Sequence, residues 1–159
     1  MPFFSVIIPL FNKADYISEC LKSVLNQNFE DYEIIIMNDG STDSSVSIVE
    51  EFTSDKINLF HQENLGVSMA RNNAALLAKG KFLAFLDADD LWKSTHLEAL
   101  QDSILKFKDA GLYCTNYEIN YNGYYTTSAK FNFNLSDKPE IIADFFKASL
   151  KDTVAWTSA

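Results

Sequence analysis

Four short apolar runs punctuate the first 90 residues, and a stretch of helical periodicity follows each of them. The runs are Ser5-Val6-Ile7-Ile8, Tyr32-Glu33-Ile34-Ile35-Ile36-Met37, Ile57-Asn58-Leu59-Phe60 and Lys81-Phe82-Leu83-Ala84-Phe85-Leu86. The first two are nearly continuous and β-branched, as strands buried on both faces are. Pro9 is expected to end the first. Between the runs, Ala14 to about Gln27 places Ile17, Leu21, Val24 and Leu25 at helical spacing. A second helix is expected around Val46, Val49 and Phe52, and an alanine-rich one from Ser68 to Ala78. Such alternation builds parallel strands joined by right-handed crossovers. The expected fold class is therefore α/β: a doubly wound, mostly parallel, Rossmann-like sheet with helices on both faces. With 159 residues, 47% of them apolar and 14% aromatic, the chain can fill the core of one domain spanning 1–159.

Beyond residue 90 the pattern continues with a helix from about Ser94 to Lys108, carrying Leu97, Leu100, Ile104 and Phe107. Leu112 to Tyr117 reads as a further strand, Tyr121-Asn122-Gly123-Tyr124 as a hairpin turn, and Ile141 to Leu150 as a short helix. Lysine and arginine number 13 against 22 aspartates and glutamates, a net charge of −9 that speaks against binding nucleic acid through phosphates or an anionic membrane through charge. No apolar run approaches the ~20 residues of a membrane span, and the first eight residues lack the basic start of a signal peptide. Cys20 and Cys114 have no C-x-x-C spacing and read as reduced core residues of a cytosolic chain.

The polar residues cluster where three of the strands end: Pro9 to Asn12, Asn38 and Asp39, and Asp87 to Asp90. In a doubly wound sheet, ligands bind outside the carboxyl ends of the strands, where strand order reverses. A strand order of 3-2-1-4 puts Asp39 and Asp87 on either side of Pro9, two strand spacings or on the order of 10 Å apart. In Asp87-Ala88-Asp89-Asp90, three carboxylates in four residues repel one another unless a cation or a proton intervenes. Hard oxygen donors of this kind suit Mg²⁺ or Mn²⁺, with a substrate's phosphates completing the shell. Equally, Asp89 or Asp90 could cap the helix that follows. Ser41, Thr42 and Asp43 fit turn and cap chemistry, while Asp39, nearest the strand end, could accept an N–H from a base edge such as uracil N3.

Arg71 stands near the start of the alanine-rich helix, where the macrodipole opposes a cation; its alternatives are a ligand contact or a surface ion pair with Glu63 or a neighbour. His61 and His96 suggest no role, and Trp92 reads as packing. Neither G-x-S-x-G nor G-x-x-x-x-G-K-[ST] occurs, so phosphates have no glycine cradle and a metal ion would carry most of their neutralisation.

Together these segments resemble the family 2 glycosyltransferases of GT-A fold. Ser5 to Asn12 resembles the opening strand of that family, Ile36 to Asp43 its second motif, Asn64-Leu65-Gly66 through Ala70-Arg71-Asn72 its third, and Phe85 to Asp90 its D-x-D motif. The resemblance covers roughly residues 3–95. It implies that Pro9 and Phe11 line the nucleotide pocket, that Asp39 binds the base, and that Arg71 helps hold the nucleotide. It further implies that Asp87 lies near the ribose, that Ala88 belongs with the donor-binding residues, and that Asp89 coordinates Mn²⁺ or Mg²⁺ on the diphosphate. The implied activity is metal-assisted transfer of a sugar from a nucleotide-sugar donor, expected to be a UDP-sugar, to a saccharide or lipid-linked acceptor, with inversion. An envelope polysaccharide product made at the cytoplasmic face of the membrane is the corresponding expectation for its place in the cell.

In the family the general base lies in a Glu-Asp-type motif beyond the segment that Val154 to Ser158 resembles, so the catalytic base is expected beyond Ala159 and the chain reads as the donor-binding part with an incomplete acceptor side. The competing reading is a nucleotide-sugar-binding module without turnover. A phospho-receiver domain would need an acidic pair after the first strand, where this chain has Pro9-Leu10-Phe11-Asn12.

Overall fold

The computed structural model describes residues 1–115, 118–121 and 124–127. They fall into two compact units, Met1–Glu98 and one that begins at Ala99. The first unit holds four parallel strands, β1 (Phe4–Leu10), β2 (Tyr32–Asp39), β3 (Ile57–Gln62) and β4 (Phe82–Phe85), in the order β3-β2-β1-β4. The expected 3-2-1-4 order is thus observed. Helices α1 (Ile17–Leu25), α2 (Ser45–Glu50) and α3 (Val67–Leu77) make the crossovers, and α4 (His96–Lys106) follows β4.

β1 and β2 are the buried centre because their side chains are apolar on both faces. Ile7, Ile35 and Met37 point to one face and pack with Ala70 and Ala74 of α3. The small alanines allow that helix to sit close to the sheet, against β1 and β2. Val6, Ile8, Ile34 and Ile36 alternate to the opposite face and are equally buried, so both faces are covered. On α1, Ile17, Cys20, Leu21 and Val24 form the buried stripe, and the Tyr32 hydroxyl donates to the Val24 carbonyl at 2.8 Å.

Several boundaries differ from the sequence reading. β1 runs through Pro9, which pairs with Met37 in register. The reason is directional: Ile7 accepts from the Leu86 amide on the β4 side, so Pro9, two residues on, turns its missing N–H the same way, past the end of β4 at Phe85. No bond of the ladder to β2 is lost. Asn38 and Asp39 belong to β2 rather than to the turn after it. In the second unit, residues 112–115 form no strand, and the rest of that expected strand, 116–117, lies outside the described residues. Cys20 is buried as expected, but Cys114 is exposed, because its segment joins no sheet among the described residues. The hairpin is present as antiparallel β5 (Glu118–Tyr121) and β6 (Tyr124–Thr127). The helix expected over Ile141–Leu150 lies outside the described residues. No helix among the described residues is long and apolar enough to cross a membrane.

Candidate functional site

The residues singled out after β1, β2 and β4 meet at one rim of the sheet, linked by side chains in a closed circuit. The first link joins the β1 and β2 loops. Asn12 adopts a left-handed backbone, φ 50°, which asparagine tolerates better than most residues. Its Oδ1 accepts the amides of Thr42 at 2.8 Å and Asp43 at 3.3 Å, while its own amide donates to Ser41 Oγ at 3.1 Å. The Lys13 amide donates to Ser45 Oγ at 2.8 Å and the Ala14 amide to Asp43 Oδ2 at 3.1 Å. Asp43 also accepts from the Ser45 amide at 2.9 Å, which ties down the start of α2. Its bond from the Ser45 hydroxyl, with these backbone donors, lowers its pKa. Turn and cap chemistry for 41–43 is therefore what the structure contains. Gly40, at φ +73°, makes the reversal, and a Cβ there would come within 3.0 Å of the Asn64 backbone nitrogen.

The second link joins β2 to the entrance of α3. Asp39 is 3% exposed. Its Oδ1 accepts from Gln62 Nε2 at 2.7 Å and the Leu65 amide at 2.8 Å, and its Oδ2 from the Gly66 amide at 2.9 Å. A carboxylate has about four acceptor positions, so one remains, on Oδ2. Asn38 beside it bonds Ser41 N through Oδ1 at 3.0 Å and His61 Nδ1 through Nδ2 at 3.2 Å. Gln62 in turn accepts from Asn73 of α3 at 2.9 Å.

The third link runs from α3 to the acidic turn. Arg71 Nη2 bonds Asp87 Oδ1, and neither side chain is more than 16% exposed. Arg71 thus pairs with Asp87 rather than with Glu63, and it orients that carboxylate directly. The fourth link closes the circuit to β1: Lys13 Nζ bonds Asp89 Oδ2 at 2.6 Å, with the two side chains 37% and 35% exposed. The hydrogen bond to Asp89 raises the Lys13 pKa against the opposing effect of burial. Asp90 stands at the exposed edge, yet loss of water, then the Asp89 and Asp87 charges, raise its carboxyl pKa. Neither Asp89 nor Asp90 caps α4, which begins only at His96.

Beneath the turn, buried Cys20 Sγ lies 3.6 Å from the Asp87 carbonyl, and burial, helped by the three aspartates, pushes its thiol up to about 12. It is a packing residue held in the thiol form. Trp92 stacks on His96 with ring centroids 4.3 Å apart, and burial lowers the His96 pKa to about 4. Pro9 and Ala88 are buried, whereas Phe11 is 43% exposed at the rim.

The circuit thus brings Phe11, Asn12, Asp39, Arg71, Asp87 and Asp89 to one edge and adds Lys13, which the sequence reading passes over. The signal for Lys13 was topological: β1 and β4 are neighbours, so the residues just after them meet. As a metal position, the rim fits one geometry only. No group of three His, Cys, Asp or Glu side chains able to hold an ion occurs among the described residues. Asp89 offers a partly exposed carboxylate, one oxygen of which is held by a flexible lysine, and this fits an ion carried mainly by phosphate oxygens, as Mg²⁺ and Mn²⁺ are.

The family model described as Glycosyl transferase family 2 matches residues 5–156. The glycosyltransferase YibD of Escherichia coli (strain K12) is 44% identical over 104 residues, 64% of this chain and 30% of that protein. Glycosyltransferase GlyG of Streptococcus pneumoniae serotype 4 is 36% identical over 116 residues, 71% of this chain and 38% of that protein. The chain therefore spans about a third of the length of these relatives. Among solved structures, S. aureus TarS 1-349 in complex with UDP-GlcNAc superposes with a TM-score of 0.60 at 33% identity, over 66% of this chain and 32% of that one. The mannosyltransferase PcManGT from Pyrobaculum calidifontis, in complex with GDP-Man and Mn²⁺, gives a TM-score of 0.63 at 27% identity, over 73% and 36%. The sheet is of the GT-A type.

Proposed function

Because the chain belongs to glycosyl transferase family 2, we propose that it binds a nucleotide sugar, with UDP as the nucleotide, at the carboxyl rim of its sheet. It serves the transfer of that sugar, with inversion, to a saccharide or lipid-linked acceptor in envelope polysaccharide synthesis. The observation that carries the reading is the closed circuit through Asn12, Asp39, Arg71–Asp87 and Lys13–Asp89, which gathers four separate sequence segments into one polar edge.

In this reading Pro9 and the exposed Phe11 ring form the wall for the base, and the free acceptor position of Asp39 Oδ2 takes a base N–H. Asp87, oriented by Arg71, faces the ribose, and Ala88 next to it belongs to the donor site. Asp89 is the protein ligand to Mn²⁺ or Mg²⁺. When bound, such an ion stabilises the charge that develops on the departing diphosphate. The protein's own contribution is preorganisation: Asp39 and Asp87 are already fixed by hydrogen bonds, so ordering them costs nothing when the donor arrives. The UDP complex of TarS and the Mn²⁺ complex of PcManGT support the choice of ligand classes.

The test is calorimetric titration with UDP. Affinity is expected to be at least about tenfold higher with Mn²⁺ than with EDTA, a difference of ~1.4 kcal/mol. Asp89→Asn is expected to abolish that difference. Equal UDP affinity with and without the metal in the unaltered chain would sink the metal-assisted reading.

A further inference from the structure

Lys13 holds one oxygen of Asp89, the carboxylate read above as the ligand of the metal ion. Its Nζ lies 2.6 Å from Asp89 Oδ2, a charge-assisted contact formed between residues 76 positions apart. Its backbone is not free to drift. The Lys13 amide is held by Ser45 Oγ at 2.8 Å, and both flanking residues are tied to the 41–43 loop. The side chain beyond that fixed point has a four-carbon stem and an ammonium with three donors. A divalent cation on either oxygen of Asp89 and an ammonium 2.6 Å from Oδ2 repel each other at short range. Because the pair is more than a third exposed on both sides, separating it costs little.

We propose that Lys13 is a resident counter-ion of Asp89, displaced when a divalent cation arrives with the nucleotide, and that the released ammonium then bonds a diphosphate oxygen. The inference rests on the reading of Asp89 as the metal ligand. Its consequence is coupling. Without nucleotide the cation must evict the ammonium with no compensation, so the metal alone binds weakly. With nucleotide the evicted ammonium gains a new anionic partner, so metal and UDP favour each other's binding, and by linkage they do so reciprocally.

The experiment measures free Mn²⁺ by its electron paramagnetic resonance signal, in titrations of the full chain with and without UDP, alongside calorimetry with UDP in saturating Mn²⁺. Lys13→Met, an exposed substitution whose fold is checked by circular dichroism, is expected to bind Mn²⁺ alone roughly threefold more tightly, the scale an exposed ion pair supplies. It is also expected to bind UDP in Mn²⁺ about tenfold more weakly, as loss of a charge-assisted bond to phosphate implies. The proposal requires both changes, and either affinity remaining at the unaltered value overturns it. Asp89→Asn separates the two levels. If that variant keeps full metal-dependent UDP binding, the assignment of Asp89 is wrong and the inference falls with it. If Asp89→Asn loses metal dependence while Lys13→Met changes nothing, only the role of Lys13 is refuted.

Discussion

The two ends of one four-stranded sheet are built on different principles. At the amino ends of the strands, Phe3, Phe4, Phe29 and Phe82 pack ring against ring, with centroids 4.8 to 6.3 Å apart. Beside them the Ser5 hydroxyl donates to Glu33 Oε1 at 2.6 Å and accepts the Gly80 amide at 2.8 Å, while the Lys79 amide donates to the same Glu33 oxygen at 2.7 Å. The rings pack the end of the sheet, and the Lys79 and Gly80 amides tie the turn before β4 to β2 and β1. At the carboxyl ends the contacts are polar, and two of the carboxylates, Asp87 and Asp89, carry partners on long, jointed side chains. Contacts of the first kind fix a fold. Among those of the second kind, the exposed Lys13–Asp89 pair can be exchanged for an incoming molecule at low cost, while Asp39 and Asp87 are held in place to receive one.

The largest expected effect lies at the amino end. A Cβ on Gly80 would stand 2.5 Å from the Ser5 backbone nitrogen and 2.6 Å from the Phe4 carbonyl carbon, so backbone must move. Gly80→Val is expected to lower stability by roughly 3–4 kcal/mol in urea denaturation, while the protein that remains folded keeps its UDP affinity within about twofold. A variant with unaltered stability would show that this end is less rigid than described.

Next comes a pH effect centred on Trp92 and His96. Burial holds the folded His96 at about 4, below the ordinary imidazole value of 6.5. Between those values the unfolded chain binds a proton that the folded chain excludes. Stability from this group is complete above pH 6.5, falls as the pH drops, and is spent below about 4, a loss of about 3 kcal/mol. His96→Phe should remove that part of the slope. Parallel stability curves for the two proteins from pH 7 to 4 would contradict the assignment.

The smallest effect on stability is the most informative about the rim. Asp39→Ala leaves the Leu65 and Gly66 amides and the Gln62 amide group without their acceptor. A loss of about 2 kcal/mol is expected, because solvent at the rim can replace part of what is removed. UDP affinity should fall as well, by at least about tenfold, if the remaining Oδ2 position meets the base. A stability loss with unchanged UDP affinity would reduce Asp39 to a brace for α3.

The alternation of β-branched runs with amphipathic helices is enough to read parallel strands and to put Asp39, Asp87 and Asp89 at their carboxyl ends, whereas the 3-2-1-4 order is a supposition and Arg71 joins the site only through the family resemblance. Such patterns reflect burial, which is a property of each segment by itself. Pairings were harder, because a partner is a property of two segments. Arg71 was seen as a cation in an unfavourable place, but nothing local says that its partner is Asp87. Lys13 has the surroundings of an ordinary surface lysine, and only the adjacency of β1 and β4 gives it Asp89. Pro9 was taken for a terminator because sequence alone does not say which side of a strand lacks a neighbour. The segment from Leu112 was read as a strand from composition, yet a strand exists only where another pairs with it.

The single side-chain amide of Asn12 sets the phase between the first two loops of the rim. Two amides from the second loop converge on its one carbonyl oxygen, and its own left-handed turn aims the chain toward Ser45. The two loops are therefore tied to each other through five hydrogen bonds. A transplant of residues 41–45 into a related scaffold would keep its hydroxyls and its carboxylate but lose its alignment unless an asparagine stood opposite, and a single inserted residue in either loop would be felt in both.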